Sequence, residues 1–334
     1  SKDFSIVYLI LLINLMKNIS DIANLAGVSK STVSRFLNGG SVSPQTKEKL
    51  SRIIEEHDYQ PNQFAQSLRA KHTNLIGAII PRMNSHAVDE TVKGIVSVCH
   101  QHQYQLLLNY TGLDIRAEIE ALETFSRSKV DGIILMATTL TDEHLEVIEK
   151  LNVPVILVGQ SYPNLHSIIH DDYQAGFIVG EQIGSKKHKN VVFFGVSEED
   201  VAVGVKRKQG IIDGLKKYDV YPEIYLTSFK YEEAKNDVSE KLKNASGIDA
   251  LIGATDPIAL AIHKFYSQQN NATGNYQIFG FGGNPMTQLV TPAITTVKFN
   301  YFKAGTYAMN QLNELIFSKN AVSKTVIPVE IENF

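Results

Sequence analysis

Seven apolar runs, each about as long as a β-strand, recur between residues 75 and 281: 75–80, 105–109, 132–136, 155–158, 191–194, 250–253 and 277–281. Stretches with helical periodicity separate most of them. A strand that is apolar on both faces must be covered on both, so this alternation predicts parallel sheets flanked by helices. About 260 residues is large for one such unit, and two similar α/β subdomains are expected. In open parallel sheets ligands bind beyond the carboxyl ends of the strands, so the loops after Ile80, Val158, Gly253 and Phe281 are expected to converge on one cleft.

The chain ahead of this alternation is built differently. Residues 16–62 carry three short amphipathic helical patterns. The first is expected to start near Ser20 as N-cap, with Asp21 beside it, and to bury Ile22, Leu25 and Ala26. Gly27 permits a sharp turn. Ser29 is the expected cap of the second helix, which turns Val33, Phe36 and Leu37 inward and Lys30, Ser31, Ser34 and Arg35 outward. The third has Ser43 as cap, Pro44 at the first helical position, and Leu50, Ile53 and Ile54 on one face. Two helices joined by so short a glycine turn resemble a helix-turn-helix.

The first residues of a recognition helix meet base edges in the major groove, and Lys30, Ser31 and Ser34 suit that place, with Arg35 reaching a guanine edge or a phosphate. The alternative is a solvated face on an ordinary three-helix unit. Charge favours the DNA reading: residues 16–72 hold eight Lys or Arg against five Asp or Glu, whereas residues 73–334 hold 23 against 29. A chain of net charge −3 thus keeps its positive charge where phosphates would lie. The segment Asn62-Gln63-Phe64-Ala65-Gln66-Ser67-Leu68-Arg69 spans only about two helical turns, too few for a helix stable alone in water. Leu68 there is either an apolar wedge for the minor groove or a linker residue packing on the next domain.

The run Ile19-Ser20-Asp21-Ile22-Ala23-Asn24-Leu25-Ala26-Gly27-Val28-Ser29, with Thr32-Val33-Ser34-Arg35, Asn38, Tyr59-Gln60-Pro61-Asn62 and Ala65-Gln66-Ser67-Leu68, resembles the headpiece and hinge of the lactose-repressor (LacI/GalR) family. The resemblance implies base contacts from Lys30, Ser31 and Arg35, phosphate or neighbouring contacts from Ser20, Ser29, Ser34 and Asn38, hinge contacts from Asn62 and Gln66, and minor-groove insertion of Leu68. It also implies a helix-turn-helix headpiece over 16–61, a hinge over 62–73 and a core over 74–334 that is similar to periplasmic sugar-binding proteins. The two halves of that core are expected at about 74–172 with 301–318, and about 173–300 with 319–334.

Side chains suited to sugar hydroxyls fall in the expected loops. Arg207, opening Arg207-Lys208-Gln209-Gly210, matches a family element whose arginine holds the effector; between two lysines it also reads as a solvated basic face. Asp256, after Thr255, sits at the family's polar position past a strand, where it equally suits a helix start before Pro257. Gln160 and Ser161 follow the strand at 155–158. Phe229, Phe299 and Tyr301 fall at effector-facing places, although core packing is the commoner duty of aromatics. Asn84, Ser85, His86 and Asp89 follow the first strand, with His86 also readable as a plain loop residue. Gly282 and Gly159 stand where related sensors carry acidic residues, so the polar chemistry of the pocket must differ from that of lactose sensors. Family members that read sucrose or related glycosides are similar at both places, which makes sucrose the leading expectation.

Enzyme readings find no footing: no Walker loop, HExxH or G-x-S-x-G occurs, and Gly280 to Pro285 breaks dinucleotide spacing at its last glycine. Cys99, His100 and His102 do not share one helix face, so no metal site and no cofactor is expected. The single cysteine suits a reducing cytosol. The apolar stretch from Phe4 to Leu15 is short of the roughly 20 residues of a membrane helix and lacks the basic flank of a signal peptide. Residues 1–15 are therefore expected to be a non-native or disordered leader before Met16, with no membrane association.

The expected protein is a cytoplasmic, nucleoid-associated repressor. A homodimer sets two headpieces on palindromic half-sites roughly 34 Å apart and releases them when a sugar closes the cleft. With no leucine heptad before Phe334, a dimer rather than a tetramer is expected. Rival expectations are a catabolite regulator answering to a phosphocarrier protein and a sugar-binding protein without a regulatory role.

Overall fold

The computed structural model describes residues 18–37, 39–59, 72–269, 276–318 and 323–332. Contacts divide the chain after Thr73 into two compact units.

The first unit holds α1 (Ile19–Ala26), α2 (Lys30–Leu37) and α3 (Pro44–Glu56). Asn18, not Ser20, caps α1: its Oδ1 accepts from the Ser20 and Asp21 amides, and Asp21 returns a bond to the Asn18 amide in a capping box. Starting the helix two residues earlier leaves Ser20 inside it. Ile22, Ala23 and Ala26 form its buried face, while Leu25, expected inside, is 47% exposed. Two alanines let the helices approach where a larger side chain would hold them apart. Gly27 takes the left-handed φ of 61° that ends α1. Ser29 accepts from the Thr32 amide at 3.2 Å as the cap of α2, and Ser43 with Pro44 opens α3. Val33, Leu50 and Ile53 complete the small core, with Phe36, Leu37 and Ile54 packed against it.

The second unit contains two six-stranded sheets of the same order. In the first lie β1 (Leu75–Ile80), β2 (Gln105–Tyr110), β3 (Gly132–Leu135), β4 (Val155–Val158), β5 (His166–His170) and β11 (Lys324–Ile327), ordered β11-β5-β4-β3-β1-β2. In the second lie β6 (Val191–Gly195), β7 (Glu223–Leu226), β8 (Ala250–Gly253), β9 (Gln277–Gly282), β10 (Thr295–Lys298) and β12 (Glu330–Glu332), ordered β12-β10-β9-β8-β6-β7. All pairs are parallel except β10 with β12. Alternation along β1 sends Ile76, Ala78 and Ile80 to one face, under α4 (His86–Gln101) and α11 (Tyr301–Phe317). Leu75 and Ile79 go to the other, under α5 (Ile115–Arg127) and α6 (Asp142–Lys150). The second sheet is covered by α7 (Asp172–Ser185), α8 (Lys208–Lys216), α9 (Tyr231–Leu242) and α10 (Asp256–Ser267) around Phe193, Phe194 and Phe279.

The chain passes between the two sheets after β5, after β10 and after β11. Residues 324–327, expected in the second half, therefore belong to the first sheet, paired with β5 from Lys324–Ser167 to Ile327–His170. Only β12 returns to the second. No helix among the described residues is long and apolar enough to cross a membrane.

Candidate functional site

In the first unit, α2 presents one polar face. Ser29, Lys30, Ser31 and Arg35 are exposed, Ser20 and Ser34 half-buried. Ser29 Oγ lies 2.7 Å from Ser31 Oγ and 2.9 Å from Thr32 Oγ1, which fixes the N-terminal turn of the helix. Short hydroxyls and two cations on the open side of a rigid helix match what a major groove offers. Asn38, Asn62, Gln66 and Leu68 lie outside the described residues.

In the second unit, the ends of both sheets enclose a cleft with about 1020 Å³ of atom-free space, its open mouth included. The first subdomain contributes Arg82 and Ser85 after β1, Thr138 after β3 and Gln160 after β4. The second contributes Asp200 and Arg207 after β6, Thr255 and Asp256 after β8, and Gly282 and Asn284 at the end of β9. His170, Asp172, Phe299 and Tyr301 line it from the crossings between the sheets.

Arg207 is the centre of a buried network. Its Nε and Nη2 donate to Asp172 Oδ1 at 3.0 and 2.5 Å, and its Nη1 donates to the Ala254 carbonyl at 2.6 Å. The rings of Phe281 and Phe299 lie 4.9 and 4.8 Å from its guanidinium carbon. It ends a π-helical turn, Val201–Arg207, whose wider winding carries it into the cleft just before α8. Phe299 stacks on Tyr301, and His170 meets both edge-on.

Asp256 is 1% exposed and accepts from Thr296 Oγ1 and the Asn284 amide, each at 2.7 Å. Burial pushes its carboxyl up to about 6, against the pull of these bonds and of Arg207. Burial also raises Asp200, whose Oδ1 accepts from the Val203 amide and from Gln160 Nε2 at 2.8 Å. Gln160 Nε2 donates to the Thr138 carbonyl as well, so a single amide ties the two subdomains across the cleft. Burial holds His170 below its usual pKa, against a backbone hydrogen bond to Asn300.

Of the residues expected to meet the effector, Ser85, His86, Gln160, Arg207, Phe229, Thr255, Asp256, Gly282, Phe299 and Tyr301 line the cleft. Asn84, Asp89 and Ser161 do not. Asn84 is exposed, and Asp89, a turn into α4, points outward to Lys93 at 2.8 Å. Ser161 lies past the end of β4, beyond Gln160. Arg82, His170, Asp172, Asp200 and Asn284 are cleft residues that the sequence reading missed. The strand at 191–194 was legible, and the rule that placed the other loops applies to Asp200 after it. His170 and Asp172 flank the end of β5, whose His-Ser-Ile-Ile-His is too short and mixed to stand out. The glycine at 282 has a steric reason: φ is 139°, and a Cβ would lie 3.0 Å from Asp256 Oδ2. Asp256 occupies the ground an acidic side chain there would need.

Comparison with known proteins gives two family matches: bacterial regulatory proteins, lacI family, over residues 18–62, and periplasmic binding protein domain over residues 76–320. The chain is 59% identical over 315 residues to the sucrose operon repressor of Staphylococcus xylosus, covering 94% of this chain and 98% of that one. It is 29% identical over 318 residues to catabolite control protein A of Priestia megaterium, covering 92% and 95%. Its fold matches that of a lac repressor dimer bound to operator and the anti-inducer ONPF, with a TM-score of 0.82, 22% identity, and 95% and 98% of the two chains covered.

Proposed function

The chain belongs to the lacI family of bacterial regulatory proteins, and from that membership we propose that it represses a sucrose-utilisation operon, leaving its operator when a saccharide occupies the cleft. The observation that carries this reading is the 59% identity to a sucrose operon repressor along nearly the whole of both chains. A homodimer at the nucleoid presents two copies of α2 to a palindromic site, with Lys30, Ser31 and Arg35 against base edges and Ser20, Ser29 and Ser34 toward the backbone. Arg207, Asp256, Gln160 and Thr255 meet saccharide hydroxyls, while Phe229, Phe299 and Tyr301 cover the apolar faces of the rings.

The cleft is joined to motion by where its residues sit. Gln160 and Asp200 bridge its two walls, and His170, Asp172, Phe299 and Tyr301 stand on the crossings about which the halves turn. A ligand that wedges or tightens these contacts shifts the equilibrium between two arrangements by its difference in affinity for them. Electrophoretic mobility shift on a palindromic operator, with and without the saccharide, tests the reading. Release on addition is expected, and a complex that tightens or ignores every saccharide offered overturns it.

A further inference from the structure

A buried carboxylate and a buried imidazole meet outside the cleft, between the starts of α5 and α6. Glu118, in the first turn of α5, is 2% exposed, and His144, in the first turn of α6, is wholly buried. His144 Nε2 lies 3.0 Å from Glu118 Oε2. The other ring nitrogen, Nδ1, accepts from the Thr141 amide at 3.2 Å, which puts a ring proton on Nε2 and aims it at the carboxylate. Glu118 Oε1 is 3.5 Å from the Thr111 hydroxyl, which also reaches the Ile80 carbonyl at 3.3 Å. A buried pair of this kind is rarely more stable than apolar side chains of the same volume. What it adds is direction.

Thr141 is the N-cap of α6. Its side chain accepts from the His144 amide while His144 Nδ1 accepts from the Thr141 amide, a capping box in which histidine replaces the usual glutamate or glutamine. The rigid ring carries a nitrogen on each side, so one closes the box and the other holds Glu118. Thr141 also ends the loop that leaves β3, and the start of that loop, Met136, Ala137 and Thr138, lines the cleft. The Thr138 carbonyl accepts one N–H of the Gln160 amide at 3.0 Å, and the other N–H reaches Asp200 Oδ1, 2.8 Å away in the second subdomain. Ala137 and Leu140 pack in the apolar layer beneath. Such packing is non-directional and sets the depth of the loop. The hydrogen bonds at Thr141 set which way its carbonyls face.

We propose that Glu118 and His144 are positioning residues of the effector site: they hold Thr141, and through the short loop before it the Thr138 carbonyl, where Gln160 can bridge the cleft to Asp200. This rests on the reading of the cleft as the saccharide site. Neither residue lines the cleft. Their influence on binding passes through Gln160, whose amide turns away from Asp200 once the Thr138 carbonyl is no longer held.

Calorimetric titration of the full chain with sucrose, beside urea unfolding, tests the assignment. Glu118→Met keeps the volume and removes the acceptor; His144→Asn keeps an acceptor in the place of Nδ1 and removes Nε2. Each is expected to weaken sucrose binding about three- to tenfold. Glu118→Gln, whose amide oxygen still accepts from His144, is expected to stay within about twofold of the wild type. In a Gln160→Ala background, Glu118→Met is expected to lower the urea midpoint as before but to take nothing further from sucrose binding. A loss of binding as large without Gln160, or a loss of stability with no loss of binding, makes the pair merely structural and overturns the proposal. Should Glu118→Met not fold, His144→Asn carries the same comparison. Hydrogen exchange without sugar gives a readout independent of the ligand: the Val203 amide, which donates to Asp200, is expected to exchange faster in Glu118→Met than in the wild type, and equally in the two once Gln160 is replaced by alanine. If sucrose does not bind the wild type, the sucrose reading falls by itself, and equal exchange at Val203 in wild type and Glu118→Met is then the result that overturns the positioning role.

Discussion

Arg207 and Asp256 show how a buried charge is tolerated. Arg207 is 5% exposed and Asp172 6%, so each depends on the other for compensation. Arg207→Ala strands the Asp172 carboxylate, and the expected loss is about 3–5 kcal/mol in urea unfolding, with a good part regained in the double variant carrying Asp172→Asn. Asp256 is the reverse case, a carboxyl lifted to about 6 by burial. Its folded pKa lies above the unfolded value, so the folded state holds this proton longer. The stabilisation is complete below about pH 4 and is lost as pH rises through 6, an effect on the order of 2–3 kcal/mol. Unfolding measured between pH 4 and 7 is expected to show this fall in the wild type and not in Asp256→Asn, whose amide does not titrate.

Among the elements, α7 and α8 pack through facing glycines. A Cβ on Gly176 would lie 2.1 Å from the Arg207 carbonyl oxygen, and one on Gly210 2.0 Å from that of Tyr173. Backbone against backbone has nothing to yield, so Gly176→Ala must push α8 outward, at a cost of about 1–3 kcal/mol. Because Arg207 immediately precedes α8, the same variant is expected to weaken effector binding in calorimetry although Gly176 does not line the cleft. In the headpiece, the Asn18 cap satisfies two amides of α1. Asn18→Ala is expected to cost about 1 kcal/mol, visible as roughly fivefold faster amide exchange in α1.

For the assembled protein, two sites on one chain are linked thermodynamically. Whatever factor the effector takes from operator affinity, operator DNA must take from effector affinity. Titrating effector with and without saturating operator is expected to give equal factors, and unequal ones mean that the two ligands do not share one equilibrium. The positive balance of residues 16–72 implies that counterion release carries much of the DNA affinity. Operator binding should then fall by roughly a thousandfold or more between 50 and 200 mM salt if six or more phosphates are contacted.

What depends on neighbours in the chain was legible beforehand. The turn at Gly27, the caps Ser29 and Ser43, the Pro44 start, and the strands β1, β4 and β8 all follow from local sterics and periodicity. Gly282 was visible as a departure, but its reason, the Asp256 carboxylate beside it, was not. Strands β5, β7 and β10 were missed because they are short and mixed, and it is the adjoining strands that make them strands. The first cap slipped from Asn18 to Ser20 because both side chains are able to cap, and only packing of Ala23 and Ala26 chooses the register. Arg82, His170, Asp172 and Asp200 lie in segments that look like ordinary connections, and they meet only because two sheets of the same order bring their carboxyl ends together. Periodicity and capping act over a few residues and can be read along the chain. Which charge finds a counter-ion is set by contacts between segments as far apart as Arg207 and Asp172, and only the folded chain brings those together.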